Sequence, residues 1–68
     1  MKLSELEKVI RGTHSVILVW QDKKRCKYIE SFCEINTIRY VNKKLLDAKV
    51  LKVDIDYQVI RIHLQVED

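Results

Sequence analysis

The sequence predicts a small α+β domain with the element order α-β-β-α-β-β, in which helices pack on one face of a four-stranded antiparallel sheet. Three observations lead to this prediction: a capped helix near the N-terminus, an apolar strand followed by a charged turn, and a hairpin pattern near the C-terminus. The 68 residues contain one Gly and no Pro. We therefore expect a single domain over residues 1–68, with regular elements and short connections.

The N-terminal segment predicts a helix from Ser4 to Arg11. Ser4 and Glu7 have the spacing of a capping box, in which each side chain binds a backbone amide of the first turn. Gly12 is suited to the left-handed conformation that ends many helices.

The next segment predicts two strands joined by a charged turn at residues 22–25. The first strand, His14 to Gln21, is apolar on both faces, which is typical of a central strand or of one whose second face meets a partner. The second strand runs from Cys26 to about Phe32. We expect Tyr28 and Phe32 to be its core residues.

Residues 35–50 allow two interpretations. Helical spacing of apolar residues (Ile38, Val41 and Leu45), an Asn36 N-cap, and Ile35 packed against Tyr40 favour one longer helix. This helix places Lys43 and Lys44 in its last turn, where cations complement the helix dipole. The alternative is a strand over 36–41 and a one-turn helix after Asn42, with both lysines at the unfavourable N-terminal end. We prefer the longer helix.

Residues 50–66 hold two runs of alternating apolar and polar residues, and the phase changes between them. Because strand side chains alternate faces, each run predicts a strand with one apolar face. The apolar positions are Leu51, Val53, Ile55 and Tyr57, and then Ile60, Ile62, Leu64 and Val66. A tight turn at residues 56–58 accounts for the phase change and predicts an antiparallel hairpin.

Composition and segment lengths exclude several classes of protein. Apolar residues make up 47% of the chain and charged residues 34%, as in globular domains. No apolar run is long enough to span a membrane, and the N-terminus does not resemble a secretory signal. We therefore expect a cytoplasmic protein in which Cys26 and Cys33 are reduced thiols.

The sequence contains residue types that often bind metals or catalyse reactions, but they do not have the spacing that metal sites and active sites require. His14, His63, Cys26 and Cys33 do not have the paired spacing of zinc ligands. The chain has no glycine-rich phosphate loop, no nucleophile elbow and no H-E-x-x-H motif. We expect no enzymatic activity, no metal site and no cofactor.

Basic residues are concentrated in the middle of the chain. Residues 20–52 contain nine Lys or Arg and four acidic residues, whereas residues 53–68 contain one Arg and four acidic residues. We predict a partner-binding patch composed of Trp20, Lys23, Lys24, Arg25, Lys27, Lys43 and Lys44. Trp20 would be its aromatic anchor, and the cations would attract an acidic partner. The alternative is a solvated turn whose lysines deter edge pairing, with Trp20 in the core.

A second predicted surface concerns self-association. Ile17 and Val19 lie on the second face of the first strand, and Ile29 is assigned to the same surface. A domain of this size has a marginal core, and exposed apolar residues in a row are typical of an interface. We therefore expect a homodimer or higher oligomer.

The chain resembles short proteins encoded in prophages and mobile elements of Gram-positive bacteria. The resemblance covers residues 1–10, the strand 15–20 with its charged turn, and residues 45–50 leading into the final hairpin. It implies a phage accessory protein in the cytoplasm of a bacterial host. We expect a non-enzymatic inhibitor of a host defence complex, anti-CRISPR-like, whose partner is a host protein or ribonucleoprotein. Two alternatives are a small nucleic-acid-binding accessory protein and a self-assembling structural subunit.

Overall fold

The computed structural model describes residues 1–10, 12 and 14–66. Its elements, in chain order, are helix α1 (Leu3–Glu7), strands β1 (Ser15–Asp22) and β2 (Lys27–Glu34), a 3₁₀ helix (Ile35–Tyr40), helix α2 (Lys43–Leu46), and strands β3 (Lys49–Asp56) and β4 (Val59–Gln65). These elements form a small α+β domain, as the sequence predicts. No helix in the described part of the chain has the length and apolar character that a membrane span requires.

The four strands form one mixed sheet in the order β2-β1-β4-β3. Both predicted hairpins are present and antiparallel, but the central strands β1 and β4 run parallel to each other. The prediction of a wholly antiparallel sheet is therefore wrong. The alternation of side chains identifies a strand and its buried face, but it carries no information about the direction of the neighbouring strand.

The core lies between the helical segments and one face of β1 and β4. Its buried residues are Leu3, Val16, Leu18, Ile35, Ile38, Ala48, Ile60, Ile62 and Leu64. In the parallel pair, Val16 lies beside Ile60 and Leu18 beside Ile62. The helical layer covers the centre of the sheet and leaves the outer part of β3 exposed.

Helix α1 is shorter than predicted and begins earlier. Its N-cap is Lys2, whose backbone amide donates to Glu5 Oε1 at 3.0 Å. Ser4 is therefore not the cap, because the backbone amide of Leu3 donates to the carbonyl of Ala48 and fixes the start of the helix against the sheet. The helix ends at Glu7, and the predicted end at Arg11 lies outside the described residues. Gly12 has a φ of +133°, but it lies beyond the helix end.

The middle segment combines the two interpretations of residues 35–50. Residues Ile35–Tyr40 are helical, but as a 3₁₀ helix that starts after Glu34, not after Asn36. Val41 is extended, and Asn42 then caps α2 by accepting a hydrogen bond from the Lys44 amide at 2.8 Å. The preferred single helix is wrong because the Asn42 cap starts a new helix there.

The apolar positions at the edges of the sheet are less buried than their alternation suggests. Tyr28 and Phe32 on β2 are 71% and 72% exposed, so their prediction as core residues is wrong. They pair with Gln21 and Ile17, whose side chains lie on the face that no helix covers. On β3, Val53 and Ile55 lie on the helical side, but the helices do not reach them, and they are 41% and 70% exposed.

Candidate binding surface

The predicted basic turn is a four-residue connection between β1 and β2. Asp22 organises it: its Oδ1 accepts hydrogen bonds from the amides of Lys24 at 3.0 Å and Arg25 at 3.3 Å. The chain then returns to β2 through Cys26, which has a φ of +53°. Because backbone amides satisfy Asp22, the turn is held rigid while its side chains project outwards.

Trp20 lies between this turn and helix α2, and it lines a depression together with residues of both. A depression of about 280 Å³ lies at this end of the sheet, and Trp20, Lys24 and Lys44 contribute to its wall. The other lining residues are Gln21, Asp22, Asn42, Leu45 and Val66. The fold thus brings one lysine of each basic segment, Lys24 and Lys44, to the same depression. Lys23 lines the groove on the uncovered face instead. We call the predicted set the basic end: Trp20, Lys23, Lys24, Arg25, Lys27, Lys43 and Lys44.

Within the basic end, the aromatic residue and the cations differ in burial. Trp20 is half-buried and packs against the core, so it is held in place and still reaches the surface. All six cations are exposed. Arg25 lies 3.7 Å from Asp22, a contact at the surface that neutralises little of the local charge. The basic end therefore combines a half-buried aromatic side chain with exposed positive charges.

Lys43 and Lys44 lie in α2, which is a single turn of four residues. Both lysines therefore belong to its first and its last turn at once, so the helix dipole neither favours nor disfavours them.

The uncovered face of the sheet carries a wider groove of about 870 Å³. Its lining includes Tyr28 of β2, Val19 of β1, Lys23 of the turn, and Arg61 and His63 of β4. His63 Nε2 lies 3.1 Å from Asp54 Oδ2, and Lys52 Nζ lies 3.7 Å from the same oxygen. Among the charged lining residues, Lys52 therefore has a partner of opposite charge, as do Glu30 and Arg61, which lie 3.5 Å apart.

The three residues predicted for self-association do not share one exposed surface. Ile17 and Val19 lie on the uncovered face but are only 6% and 7% exposed. Long side chains from β2 and β4 shield them, including Glu30 and Arg61. Ile29 pairs with Trp20 and lies on the opposite, helical side of the sheet.

The sulfur and imidazole groups do not form a shared site. Cys26 is exposed in the turn, and Cys33 is partly buried on β2. Burial raises the pKa of the Cys33 thiol. Within the described ranges, no three His, Cys, Asp or Glu residues come together in a way that could hold a metal ion.

Sequence reasoning missed the exposure of Tyr28, Phe32, Val53 and Ile55. Glu30 gave a signal on β2, because it lies between Tyr28 and Phe32 on the same face. β3 gave none, since the alternation around Ile55 is the same as that of the central strand β4.

Comparison of the chain with protein-family models, with curated proteins and with solved structures gives no match.

Proposed function

We propose that this chain is a non-catalytic binding protein that uses its basic end to occupy an acidic surface of a host protein or ribonucleoprotein complex. By occupying that surface it would inhibit a host defence complex, in the manner of an anti-CRISPR protein. The observation that supports the proposal most directly is the depression shared by Trp20, Lys24 and Lys44.

The size of this depression favours binding over catalysis. About 280 Å³ is at the lower limit of sites that enclose a small-molecule substrate, but it accommodates one or two side chains of a partner. A half-buried Trp is a typical anchor in protein interfaces, because its position is fixed before the partner arrives and little conformational entropy is lost. The surrounding lysines increase the association rate with an acidic partner.

Binding to single-stranded nucleic acid is the second candidate, and one observation favours it. Tyr28 is 71% exposed in the groove beside Lys23, an arrangement in which a base could stack on the ring near a cation. Glu30 and Arg61 weigh against it: the carboxylate repels phosphates, and the guanidinium lies 3.5 Å from it. The depression at the basic end instead presents a half-buried Trp20 as an anchor beside Lys24 and Lys44, and we therefore favour a protein surface as the partner.

Two measurements test the proposal. Expression of the chain in bacteria with an active CRISPR system should restore plaque formation by a targeted phage. A tagged chain should also retain a discrete protein complex from nuclease-treated lysate of those cells. Both effects should be lost in a Lys24→Glu/Lys44→Glu variant, because charge reversal repels an acidic partner.

Lys8→Glu is the matched control, since Lys8 is an exposed lysine at the end of α1, outside the basic end. It should leave both effects intact. Binding to a random-sequence oligonucleotide that weakens steeply with salt, with nothing retained from nuclease-treated lysate, would instead identify a nucleic-acid-binding protein.

A further inference from the structure

The outer edge of strand β3 is only partly covered. Met1 to Leu3 run beside its beginning: the Val50 amide donates to the carbonyl of Met1 at 2.8 Å, and Lys2 forms a β-bridge with Lys49. Beyond this point the described residues provide no strand outside β3, so residues 51–56 form a free edge. All six residues of this segment are exposed.

The sequence of this free edge is Leu51-Lys-Val-Asp-Ile-Asp56. It contains three apolar residues, one lysine and two aspartates. Leu51, Val53 and Ile55 are 57%, 41% and 70% exposed. Edges that resist association generally carry charged side chains, bulges, prolines or very short strands. This edge has a bulge and charges, but its charges have both signs and can therefore pair with those of a second copy.

We propose that the free edge of β3 pairs with the same edge of a second copy of this chain, in an antiparallel arrangement centred on Val53. The occupant is a second copy because the free edge, in one register against itself, pairs opposite charges without placing like charges opposite each other. This inference is independent of the function proposed for the basic end.

The register follows from symmetry. In a two-fold antiparallel pair, each residue lies opposite a residue on the same face, so the pair is centred on one residue and its copy. Centred on Val53, Lys52 of each chain lies opposite Asp54 of the other, and the two Val53 residues lie opposite each other. The pair then contains two cross-strand contacts between opposite charges and one between apolar residues.

The neighbouring registers place like charges together. Centring on Asp54 puts two Asp54 carboxylates opposite each other, and centring on Lys52 does the same with two lysines. Centring on Ile55 places Asp54 opposite Asp56 twice. Like charges directly opposite each other are destabilising in a sheet. The Val53 register also matches the length of the free edge, because pairing over residues 51–55 stops before the segment that Met1 and Lys2 cover.

Two features limit the strength of this pair. The ladder is irregular between Val50 and Lys52, so Leu51 is a bulge residue whose side chain lines the groove on the uncovered face and adds no apolar contact with Ile55 of the second copy. Five residues on each side also bury less area than the interfaces of permanent dimers. The association is therefore weak and reversible, and it joins two four-stranded sheets edge to edge into one continuous sheet.

Charge reversal at Lys52 and Asp54 gives a direct test. Sedimentation velocity over a wide concentration range should show a dimer for the wild-type chain and monomers for Lys52→Asp and Asp54→Lys measured separately. An equimolar mixture of the two variants should dimerise again, because each acidic edge then lies opposite a basic one. The recovery is specific to this register, and aggregation through another surface would not produce it.

Lys49→Asp is the matched control, since Lys49 lies on the same strand but beside Lys2, outside the free edge. It should dimerise like the wild type. Because Asp54 also contacts His63, circular dichroism must show that both variants are folded, and Val53→Lys provides a second disruption that leaves this contact intact. A wild-type chain that stays monomeric at the highest concentration, or a mixture that fails to recover, would overturn the proposal.

Discussion

Glu30 and Arg61 lie on strands that do not adjoin, yet Oε1 of Glu30 is 3.5 Å from Nη1 of Arg61. Glu30 pairs with Val19 on one side of β1, and Arg61 pairs with Ile17 on the other side. The ion pair therefore crosses over the central strand on the face that no helix covers. It explains how Ile17 and Val19 are almost fully buried without a second layer of secondary structure.

Replacing Arg61 by Ala should destabilise the domain mainly by uncovering Ile17 and Val19. We expect a loss of about 1 kcal/mol in the free energy of unfolding, because the aliphatic part of the Arg side chain shields apolar area. The coupling energy with Glu30→Ala, measured by urea unfolding in a double-mutant cycle, should be only about 0.5 kcal/mol or less, since both side chains are about half exposed. A coupling that exceeds the loss from Arg61→Ala would show that charge, and not shielding, dominates.

Shortening a core residue on β4 should have a larger effect than the same change on β3. Ile62 is fully buried and Ile55 is 70% exposed, so Ile62→Val and Ile55→Val remove the same methyl group from opposite environments. Ile62→Val should cost about 1 kcal/mol and Ile55→Val much less. Urea unfolding midpoints, measured on dilute samples, give the difference in stability between the two variants. Equal losses of stability would contradict the deeper burial of Ile62.

The turn between β3 and β4 places a large residue in a left-handed conformation. Tyr57 has a φ of +56° and is 94% exposed, so its side chain gains little from burial. Tyr57→Gly should raise the melting temperature, because glycine adopts this conformation without the steric cost that other residues incur. Gln58→Gly is the control: its φ is not positive, and it should lower stability, so the two variants should differ by roughly 1 kcal/mol. An equal decrease in the melting temperatures of both variants would argue against backbone strain at Tyr57.

The two cysteines should react at different rates. Cys26 is exposed, whereas partial burial shields Cys33 and raises its pKa, which reduces the thiolate fraction at neutral pH. Peptide mass spectrometry after brief treatment with iodoacetamide should find modification mainly at Cys26. In urea the two sites should react alike. Preferential labelling of Cys33 in the folded chain would contradict its position on β2.

The raised pKa of Cys33 also predicts a pH dependence of stability. A thiol whose pKa is higher in the folded state favours folding at any pH below its unfolded pKa, and this contribution is lost as the pH rises through the folded value. The urea midpoint should therefore decline under alkaline conditions. A Cys33→Ala variant should show a smaller decline, and an identical decline would assign the effect to other groups.

The sequence predicted those features that depend on local patterns. Alternation identified all four strands, and the phase change identified the turn at Tyr57, because both follow from side chains alternating across a strand. Of the predicted partner-binding patch, Trp20, Lys24 and Lys44 line one depression, and the role of the patch stays a prediction. The strand and turn predictions depend only on residues close in sequence and on the face of a strand that each side chain occupies.

The features that sequence reasoning missed depend on contacts between distant residues. The start of α1 is set by hydrogen bonds from the first residues to residues 48–50, and the capping pattern at Ser4 does not indicate them. The parallel pairing of β1 with β4 decides which strands are edges, and therefore whether Tyr28 and Ile55 are buried. Alternation looks the same in a central strand and in an edge strand.

The pairing of β1 with β4 at the centre of the sheet also determines how late in synthesis the sheet can be completed. Ser15 lies beside Val59 and Trp20 beside Leu64, so the middle of the sheet joins segments from the two ends of the described chain. Closing so large a loop is slow, and Val16 and Leu18 have no neighbours on that side until β4 has been made. During synthesis, the first hairpin can therefore form before β4 exists, and the edge of β1 that faces β4 stays unpaired until β4 has been made.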